Sequence, residues 1–94
     1  MNMATSIRPG QTLPMEELMR SLLNARYERN DIAFERNMFR VRGDALEVFP
    51  AYWSDRALRI EFFGDEIDRI SEIEVVSGNV LRYLNHVLIF PASH

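Results

Sequence analysis

Two runs of alternating apolar and charged residues contain the side chains best suited to bind a partner. Residues 39–44 and 59–67 each alternate and then meet a Gly-Asp dipeptide, which is typical of a strand entering a tight turn. Their charged positions before these turns are Arg40, Arg42, Arg59 and Glu61. Alternation places Arg40 and Arg42 on one face of a strand. A planar guanidinium pairs well with carboxylates or phosphates, so this face could recognise a charged partner, although a pair within the sheet is an ordinary alternative.

Other chemistries have little support in the sequence. The glycines are isolated and lysine is absent, so no phosphate-binding Gly-Lys-Ser/Thr motif occurs. Asp65, Glu66 and Asp68 form the one acidic cluster, but strand alternation leaves Asp65 in the turn, and a solvated turn is favoured over a magnesium or calcium site. His86 and His94 are expected to be ordinary surface residues. We therefore predict no catalytic residue, no metal and no cofactor.

Composition favours a small domain with a protein partner. The chain has 94 residues, a net charge of −3, no cysteine and eleven basic residues that are all arginine. Residues 26–42 contain five arginines and three acidic residues, whereas residues 44–74 contain nine acidic residues and three arginines. An acidic chain with one basic patch argues against bulk nucleic-acid binding and fits a protein partner. The lack of cysteine fits a cytoplasmic location, and no apolar stretch approaches the roughly 20 residues that cross a membrane.

The elements that must position these residues are one helix and a sheet. A helix is predicted over residues 14–26, because apolar residues recur at helical spacing after Pro14 (Met15, Leu18, Met19, Leu22 and Leu23). Residues 1–10 are expected to be a flexible lead-in, and residues 11–94 a single domain. The predicted class is α+β, with an antiparallel, meander-like sheet of about five to six strands.

The first three strands are predicted to form a meander. A two-residue turn at Arg36-Asn37 would place Phe34 opposite Phe39 and Ile32 opposite Val41. A second turn at Gly43-Asp44 would set Val41 opposite Leu46, Phe39 opposite Val48, and Arg40 opposite Glu47. One apolar face then agrees across all three strands, and a slip of one residue would invert it.

Three further strands are predicted over residues 57–63, 66–75 and 87–90. The register between the first two stays open: a three-residue loop pairs Ile60 with Ile70, whereas a two-residue loop pairs Phe62 with Ile67. Residues 77–79 are expected to turn. The apolar run at 87–90 indicates a strand buried on both faces.

Five blocks of the sequence resemble one region of the UvrB family, the damage-verifying, helicase-like subunit of bacterial nucleotide excision repair. The blocks are 27–31, 39–44, 47–51, 59–67 and 90–94. The region is the domain inserted into the first helicase lobe, which docks on the damage sensor UvrA. The transcription-repair coupling factor has a related UvrA-recruiting module, but 39–44 and the Phe-Pro-Ala ending look closer to UvrB.

The resemblance implies an excised α+β interaction domain without catalysis of its own. It implies UvrA as the partner, through positions that match Arg29, Arg40, Arg42, Arg59 and Glu61. We expect no direct nucleic-acid contact, no membrane and a monomer. The alternative from residues alone is a small β domain that binds single-stranded nucleic acid through the same arginines. Asn37 departs from the family's usual glycine, and Met38 and Tyr52-Trp53 are bulkier than expected.

Overall fold

The computed structural model describes residues 4–92, which form one helix and eight strands. The elements are β1 (Thr5–Ile7), α1 (Met15–Asn24), β2 (Glu28–Arg29), β3 (Met38–Arg42), β4 (Ala45–Val48), β5 (Arg56–Phe63), β6 (Glu66–Glu74), β7 (Val80–Leu84) and β8 (Val87–Ile89). One sheet has six strands in the order β2-β3-β4-β5-β6-β7, and β1 and β8 form a second, two-stranded sheet. The predicted α+β class and strand number are confirmed, although β2 pairs with β3 in parallel and makes the large sheet mixed.

Helix α1 covers one face of the large sheet. It begins after Pro14, carries Glu16 and Glu17 in its first turn, and buries Leu18 and Leu22. It ends two residues earlier than predicted because Arg26 has a φ of 75° and the Tyr27 N–H donates to the Leu22 carbonyl, which closes the helix. The core between helix and sheet also contains Tyr27, which lies between α1 and β2, and residues from both sheets: Ile7, Phe39, Leu46, Val48, Leu58, Ile60, Ile67, Ile70 and Ile89.

The predicted first strand of the meander is wrong. Residues 31–37 form a loop, and Ile32, which was expected to face the core, is 94% exposed. The Asn30 side chain bends the chain there, because its Oδ1 accepts hydrogen bonds from the N–H groups of Ile32 and Ala33 at 3.0 and 2.9 Å. Asn37 does adopt a positive φ, of 73°, as the turn prediction required.

The other two hairpins follow the sequence closely. Across Gly43-Asp44, Val41 pairs with Leu46 and Arg40 with Glu47, as predicted. Between β5 and β6 both of the open registers occur, because Ile60 pairs with Ile70 while Phe62 pairs with Ile67. A β-bulge at Asp68 joins the two registers, since Glu61 lies opposite Arg69 and Phe62 opposite Ile67.

Strand β8 differs from its prediction. It pairs only with β1 among the described residues, and Leu88 is 42% exposed, so the expected burial on both faces is wrong. The pairing was missed because β1 lies within the segment expected to be a lead-in, where Ile7 joins the core. Residues 1–3, Ser93 and His94 lie outside the described residues. Over residues 4–92 the structure contains no helix with the length and apolar character needed to cross a bilayer.

Candidate protein-interaction surface

The face of the large sheet opposite α1, which we call the outer face, carries two rows of polar side chains. Residues directly across an antiparallel ladder share a face, so the pairing defines each row. The first row runs across five strands through Arg40, Glu47, Arg59, Ser71 and Tyr83. The second row runs across four strands through Arg42, Ala45, Glu61 and Arg69. Four of the five expected contact residues, Arg40, Arg42, Arg59 and Glu61, therefore lie together on this face.

Glu47 links two of the arginines from beneath. Its carboxylate accepts from Arg40 Nε at Oε1 and from Arg59 Nε at Oε2, each at 2.7 Å, while the residue is only 3% exposed. Burial by itself would raise the pKa of Glu47, but the hydrogen bonds from Arg59 and Arg40 together outweigh it, and the pKa lies below its ordinary value. A buried, ionised carboxylate thus fixes both guanidinium groups on the outer face.

Neighbouring groups restrict Arg40 and Arg59 further. The Arg40 guanidinium lies 4.2 Å from the centre of the Phe34 ring, a cation–π contact. Arg59 donates from Nη2 to the Gly78 carbonyl at 3.2 Å, which ties β5 to the turn at residues 75–79. Phe34 also packs on a small apolar cluster, which is formed by Phe49, Ala57, Ile73 and Val75. These two arginines are ordered before any partner arrives.

Arg42 and Glu61 are held more loosely. Arg42 is exposed, and its side chain makes no hydrogen bond or ion pair to any residue from 4 to 92. Glu61 pairs with Arg69 through two hydrogen bonds of 3.0 and 3.2 Å, and the Arg69 guanidinium lies 5.2 Å from the centre of the Tyr83 ring. Both partners of that pair keep some exposure, so they can exchange it for an intermolecular contact.

Arg29 lies away from the other four. It belongs to the edge strand β2 and pairs with Asp31 at 2.9 and 3.2 Å. Its Nη1 lies 3.9 Å from Met19 Sδ of α1, which puts it on the helix side of the sheet. Asp31 also accepts from the Val41 N–H, and these contacts, led by that with Arg29, lower the pKa of Asp31. A partner that contacts both Arg29 and Arg40 must therefore wrap around the β2–β3 edge.

A basin of about 500 Å³ opens on the outer face between the arginines and the 75–79 turn. Arg40, Arg42 and Arg59 line it together with Glu47, Ala45 and residues 75–78. Three guanidinium groups against one carboxylate leave it positively charged. Such a basin can accept a carboxylate or phosphate, and its apolar wall at Val75 and Val76 can accept an aliphatic side chain.

A second buried carboxylate was missed by sequence reasoning. Glu72 is 3% exposed and accepts from Arg56 Nη1 and Arg82 Nη2, each at 2.8 Å. It lies opposite Leu58 and so faces the helix side of the sheet rather than the outer face. Only the register of β6 against β5 reveals this group, because the alternation along β6 alone does not say which face is buried.

Groups considered for metal or acid–base chemistry lie apart from this surface. Over residues 4–92 there is no cluster of three histidine or carboxylate side chains that could hold a metal ion. Asp65, Glu66 and Asp68 are exposed around the β5–β6 turn. His86 Nε2 lies 2.7 Å from Ser6 Oγ beside the small sheet, while His94 is outside the described residues.

Comparisons with known proteins agree on one family. A family model described as the UvrB interaction domain matches residues 5–94. The UvrABC system protein B of Caldicellulosiruptor bescii is 61% identical over the whole chain, and that of Caldanaerobacter subterraneus is 59% identical over 99% of it. The protein of the same name from Lactococcus lactis is 56% identical over 95% of the chain. The chain spans only 13–14% of the length of these relatives.

Proposed function

Because the chain belongs to the UvrB interaction domain family, we propose that it is the part of a UvrB-type repair protein that docks on UvrA. In this proposal the domain binds without catalysing a reaction, and it helps to load the repair protein during nucleotide excision repair. It works as a monomeric unit in the cytoplasm and touches UvrA rather than DNA.

The observation that carries the proposal is the gathering of Arg40, Arg42, Arg59 and Glu61 on one face. These residues come from two strands, β3 and β5, that are separated by β4, yet the pairing across the sheet places them in two adjacent rows. Arg40 and Arg59 are already held by Glu47, so they lose little side-chain entropy when a partner binds to this face. We expect carboxylates of UvrA to face Arg40 and Arg42, and a basic group to face Glu61.

The test is a binding titration of this chain against purified UvrA. Arg42→Glu is the preferred variant, because Arg42 is exposed and without hydrogen bonds within residues 4–92, so the fold should survive. The matched control is Arg20→Glu, which makes the same charge change on the exposed side of α1. We expect Arg42→Glu to weaken binding at least tenfold and Arg20→Glu to change it less than twofold.

Salt and DNA provide two further readouts. Affinity for UvrA should fall as salt rises, because charged contacts at an exposed face are screened. Equal effects of the two variants would overturn the assignment of the outer face. Tight, sequence-independent binding of a single-stranded oligonucleotide near physiological salt would instead favour a nucleic-acid-binding domain.

A further inference from the structure

We propose that the turn at residues 75–79 is a second part of the docking surface, and that Val76 at its tip receives an apolar side chain of the partner. The proposal rests on the proposed function, since it describes how the partner of the outer face is recognised. It commits to one occupant: an acidic segment of the partner protein that places a carboxylate by Arg42 and an apolar residue against Val76.

Val76 is an exposed apolar residue that does not belong to the apolar cluster beside it. Its neighbour Val75 packs on the apolar cluster of Phe49, Ala57 and Ile73, whereas Val76 is 91% exposed. It stands beside Ser77, Gly78 and Asn79, which are ordinary turn residues. Val76 also lines the arginine basin, so its methyl groups lie next to the charges of the proposed docking face.

The turn that presents Val76 is firmly held. The Gly78 N–H donates to the Glu74 carbonyl at 2.7 Å, and the Glu74 N–H donates to the Asn79 carbonyl at 2.9 Å. The Glu74 carboxylate accepts from the Ser77 N–H at 2.9 Å. Glycine at position 78 has a φ of 76°, which permits this tight geometry. Little conformational entropy is therefore left to lose when a partner contacts the tip.

Arg59 connects this turn to the arginine row. One end of its guanidinium donates to Glu47 and the other to the Gly78 carbonyl. Arg59 thereby fixes the distance between Val76 and the basic groups, and we assign it a positioning role as well as a charge. The substitution Arg59→Lys keeps the charge but replaces the two nitrogens that contact Glu47 and Gly78 with one. We expect it to weaken binding and to lower the protection of the Gly78 region from hydrogen exchange.

The basin's charge defines the partner's chemistry. Three arginines and one carboxylate leave an excess of positive charge beside an apolar wall. A partner segment with an acidic residue next to an aliphatic or aromatic one complements both features. Interfaces commonly combine such a desolvated apolar contact with a charged rim.

The experiment measures UvrA affinity for Val76→Ser and Val76→Asp at several salt concentrations. Leu23→Ser is the control, since Leu23 is another exposed aliphatic residue, on α1. Both positions are exposed, so the free energy of unfolding should change little. We expect Val76→Ser to weaken binding about three- to tenfold with an unchanged salt dependence, and Val76→Asp to weaken it more than tenfold. Arg42→Ala should instead make the salt dependence shallower, and Leu23→Ser should have no effect.

Two outcomes overturn the inference in distinguishable ways. If the unmodified chain binds UvrA and both Val76 variants bind within twofold of it, the role of the turn is wrong while the proposed function stands. If the unmodified chain does not bind UvrA at any salt concentration, the proposed function fails and the role of the turn fails with it.

Discussion

Replacing Glu47 by glutamine tests whether the buried carboxylate organises the outer face. Glu47 accepts two charge-assisted hydrogen bonds of 2.7 Å, from Arg40 and Arg59. Glutamine keeps one acceptor but turns its amide donor toward the second guanidinium. One hydrogen bond to a charged group contributes about 1.5–3 kcal/mol, and both arginines retain some access to water. We therefore expect the free energy of unfolding to fall by about 2–3 kcal/mol, which corresponds to a decrease of about 10–20 °C in Tm for a domain of this size.

The same substitution should also weaken binding to UvrA, although two effects compete. Once Arg40 and Arg59 are released from Glu47, ordering each side chain on binding costs about 0.5–1.5 kcal/mol of conformational free energy. Removing the negative charge of Glu47 from the basin opposes this loss by at most about 1 kcal/mol, because the partner's charges meet the basin at an exposed face where solvent screens them. The net loss is about 1–2 kcal/mol, a weakening of about 5- to 30-fold.

The matched control is Glu72→Gln, which removes the charge of an equivalent buried carboxylate on the helix side of the sheet. Its two arginines are more exposed, so the cost in stability should be somewhat smaller than for Glu47. Urea denaturation followed by circular dichroism gives the stability of each variant, and a titration at a temperature where all are folded gives the affinity. The reasoning is refuted if Glu47→Gln changes stability by less than about 0.5 kcal/mol, or if both variants alter affinity equally.

Three other measurements test separate features. Ser71 is fully buried and its Oγ has no hydrogen-bond partner among residues 4–92. We therefore expect Ser71→Ala to leave the free energy of unfolding unchanged or to raise it by about 1 kcal/mol. A decrease of more than about 1 kcal/mol in urea denaturation would mean that the hydroxyl makes a hydrogen bond after all. The pKa of Glu47 is lowered in the folded state, so the stability that its carboxylate contributes is complete above the ordinary glutamate pKa of about 4.3 and is lost as pH falls through the folded pKa. When the free energy of unfolding is measured from pH 7 to 3, it should therefore fall less steeply in Glu47→Gln than in the unmodified chain. Gly43 has a φ of 61° with free space at its Cβ position, so Gly43→Ala should cost about 1–2 kcal/mol from backbone strain alone, and Gly43→Asn should cost less in thermal melts.

The elements that sequence reasoning predicted well are those in which two independent signals coincide. At Gly43-Asp44 the turn residues and the apolar alternation on both flanks demand one register, and that register is found. At Gly64-Asp65 the two signals disagree by one residue, and the bulge at Asp68 lets both be satisfied. The strand expected over residues 32–34 also had both signals, a turn at Arg36-Asn37 and apolar alternation, yet it is not found. There the side chain of Asn30 offers local hydrogen bonds that alternation does not register, and the chain forms a loop.

The candidate site was only partly within reach of the sequence for a related reason. Alternation places Arg40 and Arg42 on one face, but it cannot show that β5 lies beside β4, and hence that Arg59 joins Arg40 on Glu47. Nor can it show that the turn after β6 folds back against Arg59. Both facts depend on contacts between residues distant in the sequence. Tertiary structure alone therefore reveals Glu47 as the centre of the surface.

Two arginines of the outer face have a structural use in addition to the docking role that we propose for them. Arg40 and Arg59 are cross-strand partners of a buried carboxylate, which is the structural use of an arginine. The same pairing fixes their guanidinium groups beside the basin, which Arg42 also lines. Arg42 is exposed and makes no hydrogen bond or ion pair within residues 4–92. Truncating Arg40 or Arg59 should therefore change both stability and binding, whereas truncating Arg42 should affect binding almost alone. Among the three arginines of the basin, stability and recognition separate at Arg42, so that position decides whether their charges form a docking surface.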